Sequence, residues 1–153
     1  MSNSFIKQFE FEEWANKQIL AGLEAINDDD ERSLLLLSHI LSSHAMWLNR
    51  VKGEPLSCSL FQVRTFTECA ELIVENSVGW HDFINSDEPD KMSRVIHFTN
   101  LVDGTNKKIT VEDAMIHILG HSAYHRGQIV ARMKGKIEPL PSITYIFFAS
   151  EAD

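Results

Sequence analysis

Three of the chain's seven histidines fall in one stretch, HILGHSAYHRGQ, at positions 117, 121 and 125. Residues four apart on a helix sit one turn apart and only about 40° around its axis. His121 and His125 therefore share a face and can share one metal ion. The zinc-binding HExxH helix uses the same spacing. Here Ser122 follows the first histidine, so the general base built into that motif is absent. The row Val111, Ala114, Ile118, His121, His125, Gln128, Arg132 predicts that both rings continue an apolar stripe into a core. Buried imidazoles need partners for their ring nitrogens, and a metal is one such partner.

A third ligand has to come from another segment. His39 and His44 stand five residues apart, about 140° around a helix, so one ion cannot readily take both. His44 belongs to the row Leu37, Leu41, His44, Leu48, Val51, and His39 to Leu35, His39, Ser42, Met46. Periodicity leaves the choice between them open.

Other residues could serve such a site. Glu12 and Asn16 interrupt an apolar row. They either face the metal, as ligand-orienting groups or part of an acid/base pair, or meet solvent near the start of their helix. Gln128 is expected to line the site, and His117 to be an ordinary satisfied histidine one turn before His121. Arg126 is expected to form a structural salt link, with anion binding as its sharper alternative. Tyr124, Trp14, Trp47 and Trp80 read as packing residues.

Four helical segments have to position these groups. The first runs from about Ser4 to Ile26, with the row Phe5, Phe9, Glu12, Asn16, Ile19, Leu23, Ile26, and ends at the turn-forming Asn27 to Asp30. The second runs from about Glu31 to Lys52 and stops at Gly53, with Pro55 beyond. It is apolar around much of its girth and should be the most buried. The third, about Thr65 to Ile84, carries the row Phe66, Cys69, Ile73, Asn76, Trp80, Phe83. Between Ser93 and Ile109 the period shortens toward two, and with Asp103-Gly104 this suggests two short strands or an extended loop around a turn. The fourth helix starts after an N-cap at Thr110, with Glu112 and Asp113 in its first turn, and runs to about Lys134. Ser142 to Ser150 is a short closing helix or an extended arm. The fold class is therefore all-α, a single four-helix bundle over residues 1–153 with an extended insert before its last long helix.

Composition bounds what the bundle can do. With 153 residues and 44% hydrophobic content, one continuous core is expected. A formal net charge of −8 argues against nucleic acid and against anionic membranes as partners. Two cysteines, Cys58 and Cys69, form no CxxC and no disulfide scaffold, in keeping with reduced thiols and a cytoplasmic location. The first residues show no secretory pattern, and no run is long enough to span a bilayer. Apolar girth and three tryptophans point to a homodimer.

Three stretches carry a resemblance to a known family: WANKQIL at 14–20, LLSHILSSHAMWLNRVKGE at 36–54 and HILGHSAYHRGQI at 117–129. In order and spacing, together with VIHFTNLVDG, they are similar to the signatures of the DinB family over nearly the whole chain. The resemblance implies a four-helix bundle holding one metal through His39, His121 and His125. His44 stands where many members carry Asp and is read as a non-ligand; Glu12 stands where many carry Asn. Three imidazoles suit zinc or nickel, and also iron, cobalt or copper. An open fourth position would suit a catalytic site. The resemblance further implies a small-molecule substrate, with a low-molecular-weight thiol as cosubstrate of a transferase or hydrolase-like enzyme. A metal-binding stress-response protein without turnover is the alternative. Glu12, Asn16 and Gln128 are the catalytic candidates.

Overall fold

The computed structural model describes residues 2–153. Four long helices form the bundle: α1 (Ser2–Ile26), α2 (Glu31–Lys52), α3 (Phe66–Asn85) and α4 (Val111–Met133). Each of α1 and α2 packs against both α3 and α4. A single 3₁₀ turn (Lys91–Ser93) leads into an antiparallel hairpin of β1 (Val95–Thr99) and β2 (Asn106–Thr110), and a short α5 (Tyr145–Ala149) closes the chain. No helix among the described residues is long and apolar enough to cross a membrane.

Local chemistry sets the helix ends. Asp30 caps α2 by accepting from Ser33 N, and Gly53 ends it at φ 70°, a left-handed conformation that glycine adopts without Cβ strain. Thr65 and Glu68 form a reciprocal capping box on α3. Thr110 ends β2 and also caps α4 by accepting from Asp113 N, so the hairpin fixes where α4 begins.

The core has two apolar parts. One gathers Phe9, Trp47, Trp80, Val111, Met115 and Ile118 toward the hairpin end. The other gathers Ile19, Leu37, Ile40, Ile73, Ile129 and Met133 toward the opposite end. On each helix the residues between these two groups are polar and buried: Glu12 and Asn16 on α1, His44 on α2, Asn76 on α3, Ser122 and Arg126 on α4.

The first-helix row faces inward as expected, while α4 is rotated from its expected setting. Its buried row is Val111, Ala114, Met115, Ile118, Ser122, Arg126, Ile129 and Met133. His121, His125 and Gln128 lie to one side, half-buried, and the Arg132 side chain is 46% exposed in an ion pair with Asp30. The core accepts Arg126 in place of the histidines because Glu12 stands opposite to neutralise it.

Candidate metal centre

α2 contributes one imidazole to the centre and α4 contributes two. His39, His121 and His125 each offer a ring nitrogen, and these three atoms lie within 4.8 Å of one another. His39 Nε2 and His121 Nε2 are 3.1 Å apart. Two nitrogens bound to one tetrahedral ion at ~2.0–2.1 Å would stand about 3.3 Å apart, so this spacing suits a shared ion.

Hydrogen bonds at the far sides of the rings determine which nitrogens face inward. His39 Nδ1 is 3.0 Å from the Leu60 carbonyl, which can only accept. Nδ1 therefore carries the proton, and Nε2 presents its lone pair to the cluster. His125 Nδ1 likewise donates to Gln128 Oε1 at 2.7 Å. Backbone carbonyls and side-chain amides hold metal-ligating histidines in this way. His121 Nδ1 is buried and has no hydrogen-bond partner among the described residues. The donor set thus fits a borderline transition metal, with a carboxylate-free ligand sphere of three imidazoles. Burial, and then the neighbouring histidines, push the His121 imidazole down to about 3. Burial also lowers His39. The His39 and His121 rings thereby favour the neutral state that can bind a metal.

The α2–α3 connection completes the setting. Arg64, buried, donates to the Ser38 carbonyl and to the hydroxyls of Ser38 and Ser42 on α2. The Ser38 hydroxyl also donates to the Gln62 carbonyl. So anchored, the segment delivers the Leu60 carbonyl and stacks the Phe61 ring on His39 with centroids 4.2 Å apart. Sequence reasoning missed Leu60, Phe61 and Arg64. A backbone acceptor leaves no side-chain signature, and a loop arginine gains meaning only when its serine partners are seen on one face of α2.

The rings open into a cleft of about 370 Å³ between α2, α4 and the hairpin. Its walls are largely apolar, with Met46, Trp47, Phe61 and Phe98 among them, and Arg50 and His117 are its other basic residues. Among the described residues no carboxylate lines it. A wider hollow of about 740 Å³ over the hairpin contains none of the clustered histidines.

The remaining sequence candidates separate from the cleft. Glu12 is 2% exposed and meets neither metal cluster nor solvent, contrary to both expectations. Arg126 clasps its carboxylate with two hydrogen bonds of 2.8 and 2.7 Å and donates to Asn16 Oδ1 at 3.1 Å. Burial alone would raise the Glu12 carboxyl, but hydrogen bonds from Arg126 and His44 outweigh it and hold the pKa at about 2. His44 Nε2 reaches Ser122 Oγ at 2.8 Å and Glu12 Oε2 at 3.2 Å, so it lies outside the three-ring cluster. Arg126 forms the buried salt link expected of it. Gln128 reaches the cluster through His125. His117 is exposed at the cleft, with ring centroids 5.5 Å from both Trp47 and His121.

A family profile described as the DinB superfamily matches residues 12–129, a span that includes all three clustered histidines. The chain is also similar to Protein DinB of Bacillus subtilis (strain 168), 27% identical over 152 residues, covering 88% of this chain and 87% of that protein. No solved structure gives a significant match.

Proposed function

The chain belongs to the DinB superfamily, and from that premise we propose that His39, His121 and His125 hold one divalent transition metal, zinc or nickel first, at the floor of a small-molecule reaction cleft. The observation that carries this reading is the convergence of three ring nitrogens within 4.8 Å, two of them with their outer nitrogens already committed. When bound, such a metal supplies Lewis-acid polarisation, or holds a soft thiolate, at an open position.

The chain's own residues then divide the work. The Leu60 carbonyl and Gln128 hold two imidazoles in the tautomer that faces inward. Phe61 covers His39 and limits water on that side. The apolar walls favour a substrate with a hydrocarbon or sulfur body. Ser122, in the position of the HExxH glutamate, is fully buried and bonded to His44. With no carboxylate in the cleft, a thiol-dependent transferase suits the site better than a hydrolase that needs a carboxylate base. Neither Glu12 nor Asn16 is positioned for proton transfer to a substrate, and Gln128 acts through His125.

The same missing base favours a second reading, a metal-binding protein without turnover. A cytoplasmic homodimer completes the proposal. Elemental analysis of reconstituted protein tests the site: one metal per chain supports it, and none removes it. Turnover with candidate thiols and electrophiles separates the two readings, and light scattering reads the dimer.

A further inference from the structure

Arg50 lies eleven positions after His39 on α2, about three turns, so both leave the same face roughly 16 Å apart along the axis. Ser43, Met46 and Trp47 fill that face between them, and all five residues line the one cleft. Arg50 has its guanidinium carbon 4.5 Å from the Trp47 ring centroid and 4.9 Å from that of Phe98. Its only side-chain hydrogen bond among the described residues is a long one, 3.4 Å, from Nη2 to the Thr99 carbonyl. No carboxylate pairs with it among those residues, whereas Arg94, Arg126 and Arg132 each have one. Most of its five donors are left to the cleft.

We propose that Arg50 anchors a carboxylate on an elongated substrate whose reacting end lies at the three histidines. This rests on the metal-site reading above and adds the substrate class: a monoanion with an apolar middle. A planar guanidinium resting against an edge-packed pair of aromatic rings presents two parallel donors to a carboxylate. A single arginine in the cleft of a chain of net charge −8 favours one negative charge over the two of a phosphate monoester. The span from Arg50 to the histidines sets the length, and Trp47, Met46 and Phe98 contact the middle.

The test uses cobalt-loaded protein and ω-mercaptoalkanoates of increasing chain length, each beside its methyl ester and the matching ω-mercaptoalkyl phosphate. Thiolate-to-cobalt charge transfer reports binding without any turnover. The acid should bind about tenfold tighter than its ester, with an optimum chain length. Arg50→Gln should erase that preference while leaving ester binding in place, and Arg50→Lys should keep part of it. Circular dichroism checks that both variants fold. Equal affinity for acid and ester in the wild type overturns the inference, as does a preference that survives in folded Arg50→Gln. Tighter binding of the phosphate than of the carboxylate also overturns it. Failure of the protein to take up cobalt sinks the metal reading itself, and this inference with it; a cobalt-loaded protein that shows no charge-transfer band with any probe overturns this inference alone.

Discussion

His39 and His44 lie on the same helix, five residues apart, and are equally buried at 4% and 3% exposure. They belong to different structures. His39 points its free nitrogen at two other imidazoles that open on a cleft. His44 spends its Nε2 on a serine hydroxyl and on Glu12, inside a closed layer where Arg126, Glu12, Asn16 and Ser122 satisfy one another. Burial therefore does not mark the candidate ligand. What distinguishes the two is whether the surrounding protein has already answered the ring nitrogens. One region is a completed polar layer, and the other is a set of donors converging on a common point.

The largest effect should come from breaking the completed layer. Glu12→Ala strands the Arg126 charge in the core, and a loss of about 3–5 kcal/mol is expected in urea unfolding. Replacing both, as Glu12→Leu with Arg126→Leu, should recover much of it. Metal bound by the folded fraction should not change; its loss would show that the two regions act as one.

Acid should separate the regions by the window in which each titrates. The Glu12 carboxyl is lowered from 4.5 to about 2 on folding, so its contribution is full above about 4.5 and disappears as pH falls toward 2, about 3 kcal/mol in all. His121 is lowered from 6.5 to about 3, so the unfolded chain takes up the proton first and metal-free protein loses stability from about 6.5 downward. A metal-free stability curve that is flat between pH 6.5 and 4.5 would contradict the burial of the histidine cluster.

Metal removal should come next. At free zinc or nickel a hundredfold above Kd, the metal adds roughly 2.7 kcal/mol. The melting temperature at pH 7.5 should fall on chelation, and because burial holds His121 near 3 and also lowers His39, the difference should persist below pH 6. His39→Ala, His121→Ala and His125→Ala should each abolish the shift, and His44→Ala should leave it. If His44→Ala abolishes it and His39→Ala does not, the two rings have been assigned the wrong way round. The smallest effect is expected from Gln128→Leu, which removes the partner of His125 Nδ1 and should weaken metal binding about tenfold, as read by competition with a chromophoric chelator.

Much of the frame was legible because it is written in local chemistry. Gly53 and Thr110 mark helix ends through interactions within a few residues. The two-residue period of 95–99 announced the hairpin. The i,i+4 pair His121 and His125 was visible for the same reason. The rotation of α4 was not. A row drawn at three- and four-residue spacing fits either of two neighbouring stripes, and an arginine in one of them argues for solvent. Only Glu12, more than a hundred residues away in sequence, makes Arg126 a core residue. Periodicity sees one helix at a time, and a buried ion pair belongs to two. The choice of His39 over His44 came from family resemblance; in the fold it is His39, and not His44, that stands with His121 and His125.

The hairpin turn closes largely on itself, through Asn100 N to Thr105 O and Gly104 N to Asn100 O, while Asn100, Leu101 and Val102 line the mouth of the cleft. Insertions or deletions at this tip would leave the helix caps and the three imidazoles where they are. The fold thereby separates a tip whose length can change at little cost from the caps and core whose alteration costs stability.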